Sequence, residues 1–344
     1  MIHRRKFIKQ LSVAGLLSTM PEILLSMAQP VDKKTWGCLL HLSFNMWEDY
    51  ISPKYPVRGF HPDLRLSESL WDDALKKMVS EGMNMVVIDL GDAIKYKSHP
   101  EIAVRNAWSV TKLRNELNKI RNMGLEPIPK LNFSAAHDVW LKDYSRMLTT
   151  EEYYTVCKDL IKEVSEIFDK PRFFHLGMNE ETPEAQEDYN YLVVRKNDVW
   201  WGDFYFLIAA VQKGGARPWV WSDYVWQHPE LFYKNMPKTV IQSNWCYGQN
   251  FDLNTNPVKT YIDLEACGFD QIPAGSYDGT NAGNISATVQ FCKSHITSSQ
   301  LNGFLQTFWK PTIEEYRTDI IKGIQLAGNA KKNYESGFNK KGNK

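Results

Sequence analysis

Eight short apolar segments separated by helical patterns predict a single-domain (β/α)8 (TIM) barrel. Three observations carry the prediction. The segments are near-continuous apolar runs, which suit strands buried on both faces of a parallel sheet. The repeated strand–helix order implies right-handed parallel crossovers. The chain has 344 residues, comfortably more than the roughly 250 that such a barrel requires. A doubly wound open sheet is the alternative arrangement of the same units.

Residues 1–28 stand apart from the barrel. A basic start, His3 to Lys6, precedes a short apolar stretch from Leu11 to Leu17 and a small-residue site at Ser26, Met27 and Ala28. This is the layout of a signal peptide rather than a membrane helix. Arg4 and Arg5, followed by Phe7 and Lys9, match the twin-arginine type. The plainer alternative is a Sec signal or a basic amphipathic helix. The expected location is periplasmic or extracellular. No cysteine stands just after the apolar stretch, so no lipoprotein anchor is expected, and no other apolar run reaches the ~18 residues that span a bilayer. The barrel is expected over 29–335, with 336–344 as a solvated tail.

Within the barrel the expected strands are 36–42, 84–90, 125–131, 172–178, 217–222, 239–245, 271–276 and 303–309. Helices are expected over 69–81, where Leu70, Ala74, Leu75 and Met78 share a face and Gly82 ends the run, and over 110–123, with Leu113, Leu117 and Ile120 before Gly124. Further helices are expected over 150–168, 257–267, 286–296 and 314–332; the segments after strands five and six carry the weakest pattern.

The bulk composition narrows the function. A net charge of +1 gives no electrostatic footprint for nucleic acid. The five cysteines, at 38, 157, 246, 267 and 292, show no metal spacing and read as buried thiols with at most one or two disulfides. No metal and no cofactor is expected. The 12 tryptophans stand out: aromatics ordinarily fill cores, but at strand ends their flat faces stack on sugar rings.

In a barrel of this kind the active site lies at the C-terminal ends of the strands. There the sequence places Asp89 and Asp92 after strand two, and Lys130, Asn132 and His137 after strand three. Asn179, Glu180 and Glu181 follow strand four, and Trp221 and Asp223 end strand five. Asn244 and Trp245 end strand six, Tyr277 and Asp278 strand seven, and Trp309 and Lys310 strand eight. Packing alone does not require carboxylates and tryptophans at so many strand ends. At single positions plainer roles compete: Asp after a strand caps the next helix, Asn179 or Asp278 closes a turn, and His175 points into the barrel as a structural group.

The run Phe174–Glu180 resembles the strand-four signature His-x-Gly-Gly-Asp-Glu of glycoside hydrolase family 20, the β-N-acetylhexosaminidases. Leu125–Ser134 with His137 resembles that family's strand-three segment, and Pro218–Asp223 its strand-five Trp-Asp-Glu segment. Trp245 and Trp309 match its aromatic walls, and the resemblance spans about residues 36–310 in the family's order. It implies a glycoside hydrolase, exported if the signal segment is read as above, with Glu180 as general acid, a role that calls for a raised pKa. The substrate's own acetamido oxygen would be the nucleophile, held by the residue before the acid and by a tyrosine on strand seven, here Tyr277. Asn132, His137, Asp89, Glu181, Trp221, Trp245 and Trp309 are the expected substrate contacts, and Asp223 and Asp278 further catalytic candidates.

Two positions depart from the family. Asn179 stands where the family has Asp, so the charge that would stabilise the acetamido cation is missing, and strand one carries no arginine to grip sugar hydroxyls. These departures keep open a non-catalytic carbohydrate-binding barrel descended from such an enzyme. They also keep open an inverting hydrolase with Asp223, Asp278 or Asp89 as base. The Asn-Glu pair is similar to that of retaining Asn-Glu barrel glycosidases, but strand seven supplies no glutamate nucleophile. A metal-dependent barrel enzyme lacks a His-rich strand set.

Overall fold

The computed structural model describes residues 34–54 and 56–339; the expected signal segment 1–28 and residues 340–344 lie outside them. The eight barrel strands are β1 (Thr35–His41), β2 (Met85–Asp89), β3 (Glu126–Lys130), β4 (Phe173–His175), β5 (Arg217–Trp221), β6 (Ile241–Ser243), β7 (Ala274–Ser276) and β8 (Gly303–Thr307). All pair in parallel, in the order β6-β5-β4-β3-β2-β1-β8-β7. Two parallel bridges, Gln242 with Gln271 and Trp245 with Ala274, join β6 to β7 and close the ring. The fold is therefore the (β/α)8 barrel, and the open sheet is excluded.

Side chains alternate in and out along each strand. The inward set, Leu39, Met85, Val87, Ile128, Phe173, Trp219, Trp221, Ile241, Ile272, Ala274 and Leu305, makes a separate apolar cluster inside the barrel. The outward set, such as Leu40, Val86, Ile88 and Val220, joins the helices in a second, larger core.

The helices are α1 (Glu68–Ser80), α2 (Val110–Asn122), α3 (Glu151–Ile167), α4 (Asn197–Lys213), α5 (Tyr224–Gln227), α6 (Pro229–Asn235), α7 (Asn256–Ala266), α8 (Asn284–His295) and α9 (Arg317–Asn339). Hydroxyl caps start the first three: Ser67 accepts from Leu70 N, Ser109 from Lys112 N and Thr150 from Tyr153 N. Each is worth about 1 kcal/mol. Gly124, with φ of 84°, turns the chain after α2.

Besides the short helices α5 and α6 after β5, where no helix was expected, three features differ from the sequence expectation. The helix α4 was not anticipated, because Trp200, Trp201, Phe204, Phe206, Leu207, Ile208 and Val211 leave no polar face to mark its period. It packs against α3 and β5. A parallel ladder of Ile94–Lys95 with Trp108–Ser109 sits in the β2–α2 connection, too short to leave a pattern. The last helix runs to Asn339, past 332 and past the start of the expected tail at 336. All five cysteines are free thiols.

Candidate active site

The upper inward layer of the barrel is ionic. Lys130 Nζ donates to Asp89 Oδ2, and His41 Nδ1 lies 3.2 Å from the same oxygen. All three side chains are buried. Burial pushes the Asp89 carboxyl up, but Lys130 and His41 outweigh it and hold it below the ordinary carboxylate value. Asp89, expected to contact substrate, is instead neutralised within this plug beneath the mouth. His175 is also buried, accepts from Gly177 N at 3.0 Å through Nδ1, and faces Trp219 and Trp221. Burial drives its pKa far down, so it is neutral.

Above the plug the chain leaving β4 turns sharply. Gly177, Met178 and Glu180 have φ of 74°, 68° and 54°, a left-handed run that costs energy at the two non-glycine positions. A Cβ on Gly177 would lie 1.8 Å from Asn132 Oδ1, so only glycine lets the turn pass. That oxygen accepts from Met178 N at 3.3 Å and Ser134 N at 3.1 Å, while Asn132 Nδ2 donates to Asn179 Oδ1 at 3.0 Å. Asn132, an expected substrate contact, is buried and serves to fix Asn179 and the turn.

The turn delivers Glu180 to the mouth, with its side chain 39% exposed. His137 Nε2 lies 2.8 Å from Glu180 Oε2. Glu180 N donates to Asp223 Oδ2 at 2.7 Å, and Trp245 Nε1 donates to Asp223 Oδ1 at 3.3 Å. The two carboxyls are driven apart. For Glu180, burial pushes up, but His137 and Arg58 outweigh it and hold the group low. For Asp223, burial and then the Glu180 charge push the pKa up to about 7. The expectation of a raised pKa at Glu180 is thus corrected: in the free protein the raised carboxyl is Asp223.

Glu181 points the other way. It is buried, accepts from Ala135 N at 2.9 Å and pairs with Arg195, which also pairs with Asp203 at 3.3 Å and donates to Phe133 O at 2.7 Å. Glu181 therefore secures the loop after β4 to the loop after β3, away from the place a substrate would occupy.

Aromatic rings adjoin Glu180 and Asp223 through His137 and Trp245. Trp221, almost wholly buried, lies under Trp309 with centroids 5.8 Å apart. Trp309 meets Trp47 at 5.9 Å, and Trp47 meets the edge of His137 at 4.7 Å. Trp245 stacks on Tyr247 at 4.8 Å, and the Tyr247 hydroxyl accepts from Trp309 Nε1 at 3.1 Å. Burial, with Glu180 and Asp223 among the contributing charges, pushes the Tyr247 phenol up.

Two expected residues lie elsewhere. Ser276 is the last residue of β7; alternation sends Tyr277 outward, against Gly323 of α9, where an added Cβ would lie 3.3 Å from its ring. Asp278 is exposed and accepts from Thr280 N and Oγ1 in a turn. The tyrosine at the mouth is Tyr247, two residues past Trp245. Sequence reasoning also passed over Trp47 and Arg58 in the connection after β1. Arg58 lies 5.0 Å over the Trp47 ring and 3.6 Å from buried Glu48, so a cation reaches the mouth from this loop although β1 has none. An aromatic shortly after a strand end was the available signal for Trp47 and Tyr247; nothing local marks Arg58. Among the described residues no group of three His, Cys, Asp or Glu side chains is arranged to hold a metal ion.

No protein-family model matches the chain, and no curated protein matches it. Solved structures do match. The Flavobacterium johnsoniae chitobiase superposes with a TM-score of 0.59 at 14% identity, over 88% of this chain and 50% of that one. The Bacteroides fragilis β-N-acetylhexosaminidase gives 0.59 at 11%, over 87% and 65%. A Vibrio harveyi GH20 exo-β-N-acetylglucosaminidase, in complex with N-acetylglucosamine, gives 0.56 at 12%, over 86% and 54%. The chain spans between half and two thirds of these proteins. At these identities the likeness is one of fold: the chain has a TIM barrel like that of the family 20 glycoside hydrolases.

Proposed function

We propose that this chain is an exported glycoside hydrolase acting on a glycan that contains N-acetylhexosamine, with Glu180 as general acid/base. The observation that carries the reading is Glu180 itself: a half-exposed carboxylate on a strained turn at the end of β4, hydrogen-bonded to His137, beside a carboxyl of raised pKa, with Trp47 against His137 and Trp245 against Asp223, and Trp309 joining them. Two carboxyls whose pKa values are pushed apart are the usual basis for dividing acid and base roles. The sugar bound to the Vibrio harveyi structure supports the choice of substrate class.

In this mechanism the sugar ring lies against the tryptophans and Glu180 delivers a proton to the leaving glycosidic oxygen. A substrate covering the mouth removes the remaining water from Glu180, which raises its pKa towards what an acid needs. The substrate's acetamido oxygen attacks the anomeric carbon. Asn179 and the Tyr247 hydroxyl are the contacts for that group, Tyr247 taking the place expected of Tyr277. Asp223, protonated up to about pH 7, backs the turn and limits the negative charge beside Glu180. Export rests on the twin-arginine-type start, which lies outside the described residues. In those residues no helix is long and apolar enough to cross a membrane.

One observation favours a second reading, a carbohydrate-binding barrel without turnover. The residue before Glu180 is a neutral amide whose oxygen is already engaged by Asn132, so it offers little to a developing cation. Turnover separates the two. Protein beginning at residue 29 is assayed on a panel of aryl glycosides that includes N-acetylglucosaminides, with Glu180→Gln as control. Release that falls at least a thousandfold in the variant supports the hydrolase. Sugar binding without release supports the binding protein.

A further inference from the structure

The loop after β4 presents apolar side chains beside the mouth on a fixed frame. Buried Gln186 holds both polar groups of the Val193 backbone: its Nε2 donates to Val193 O and its Oε1 accepts from Val193 N, each at 2.9 Å. The intervening segment 187–192 is thereby closed into a short tip. Tyr189 ties the tip to the site, its hydroxyl donating to Ala136 O and lying 3.3 Å from Met46 O. Those carbonyls adjoin His137 and Trp47. Asn190 N donates to Asp49 Oδ1 at 2.8 Å, and Lys54 lies 3.4 Å from Asp188.

On this frame Tyr191 is 58% exposed and Leu192 54%, with Ile51 across the β1 connection at 69%. Single exposed apolar residues need no explanation, but two in succession on a pinned loop at the edge of a site call for one. Tyr191 is also oriented. The Arg146 guanidinium lies 5.0 Å from its ring centroid, and Arg146 is itself anchored 3.3 Å from Asp49 Oδ2. One face of the ring is backed by this anchored cation, and the residue as a whole stays more than half exposed. A rigid aromatic face flanked by guanidinium donors matches a pyranose, whose C–H face is apolar and whose rim carries hydroxyls.

We infer that Tyr191, backed by Arg146 and flanked by Leu192, is a distal subsite that binds a further sugar of an oligosaccharide whose scissile bond lies at Glu180. The inference rests on the glycoside hydrolase reading and names its substrate class: chains of several sugars. Because the tip is pinned before the substrate arrives, little ordering cost is left to binding. The contact is made equally in ground and transition states, so it lowers KM for longer chains rather than raising kcat.

The test compares β-linked N-acetylglucosamine dimers and tetramers with the aryl glycoside, in the wild type, Tyr191→Ala, Tyr191→Trp and Arg146→Ala. The expected wild-type result is a KM about tenfold lower for the tetramer than for the dimer. Tyr191→Ala brings the ratio close to one, Tyr191→Trp keeps it, and Arg146→Ala weakens it. Aryl glycoside turnover with no advantage for length in the wild type overturns the subsite but leaves the hydrolase reading intact. An advantage that persists in Tyr191→Ala does the same. Failure of the wild type to turn over or bind any of these compounds, the last read by calorimetry, overturns the subsite together with the substrate class.

Discussion

His137 Nε2 and Glu180 Oε2 lie 2.8 Å apart, and this contact sets the resting charge of the mouth. His137 arrives from the loop after β3, Glu180 from the turn after β4, and Trp47 packs against the imidazole edge. The carboxylate most exposed to an incoming sugar is thus held ionised by a neighbour on another loop.

His137→Gln removes that support. For Glu180, burial pushes the pKa up while His137, with Arg58, pulls it down. Without His137 burial is opposed by Arg58 alone, so the Glu180 pKa rises. The wild-type pairing stabilises the fold above the unfolded carboxyl pKa and loses its effect as pH falls through the lower folded value; the variant lacks this acid-side loss. Carboxyl carbon shifts of labelled glutamate, followed against pH, read the midpoint. An unchanged midpoint would remove His137 as the cause.

Asp223 behaves in the opposite sense. Its pKa stands at about 7 against an ordinary 3.8, through burial first and the Glu180 charge second. Between those values the native state holds a proton that the unfolded chain has released. Its contribution to stability is therefore full below about pH 4 and is lost as pH rises through 7. Asp223→Asn should be more stable than the wild type at pH 8, by up to about 4 kcal/mol, and indistinguishable near pH 4. Urea unfolding at the two pH values measures it, and a pH-independent difference would contradict the assignment.

Asn179→Asp restores the charge missing before the acid. Asn132 Nδ2 donates to the Asn179 side-chain oxygen, a bond that a carboxylate keeps, so the turn accommodates the change. Release from aryl N-acetylglucosaminide should rise by about tenfold or more. A folded but inert variant would argue against participation of the acetamido group.

Arg195→Met leaves two buried carboxylates, Glu181 and Asp203, without their cation. Removing one partner of a buried ion pair costs about 3–5 kcal/mol. The denaturation midpoint should fall accordingly, and turnover should fall with it, because Arg195 anchors Glu181, the residue beside Glu180. A loss under about 1 kcal/mol would mean that the carboxylates are not held ionised by Arg195.

The sequence by itself determined the eightfold strand order and the places of Glu180, Asp223, His137 and the three tryptophans at strand ends. Apolar runs and helix stops are local, and a barrel gathers all its strand ends on one face. Tertiary structure decided which side chains meet there. The end of β7 sets the parity that turns Tyr277 outward to Gly323, and a one-residue uncertainty in a strand boundary reverses that outcome. Asp89 and Glu181 look like mouth residues in sequence, but Lys130 and Arg195 claim them from 41 and 14 residues away. Tyr247, Trp47 and Arg58 enter from connections with no periodicity, so only the packing of those loops against one another could bring them to the mouth. The helix α4 escaped notice for a related reason: its solvent side carries Val199, Gly202, Tyr205 and Ala209, so it lacks the polar face by which a helix is read.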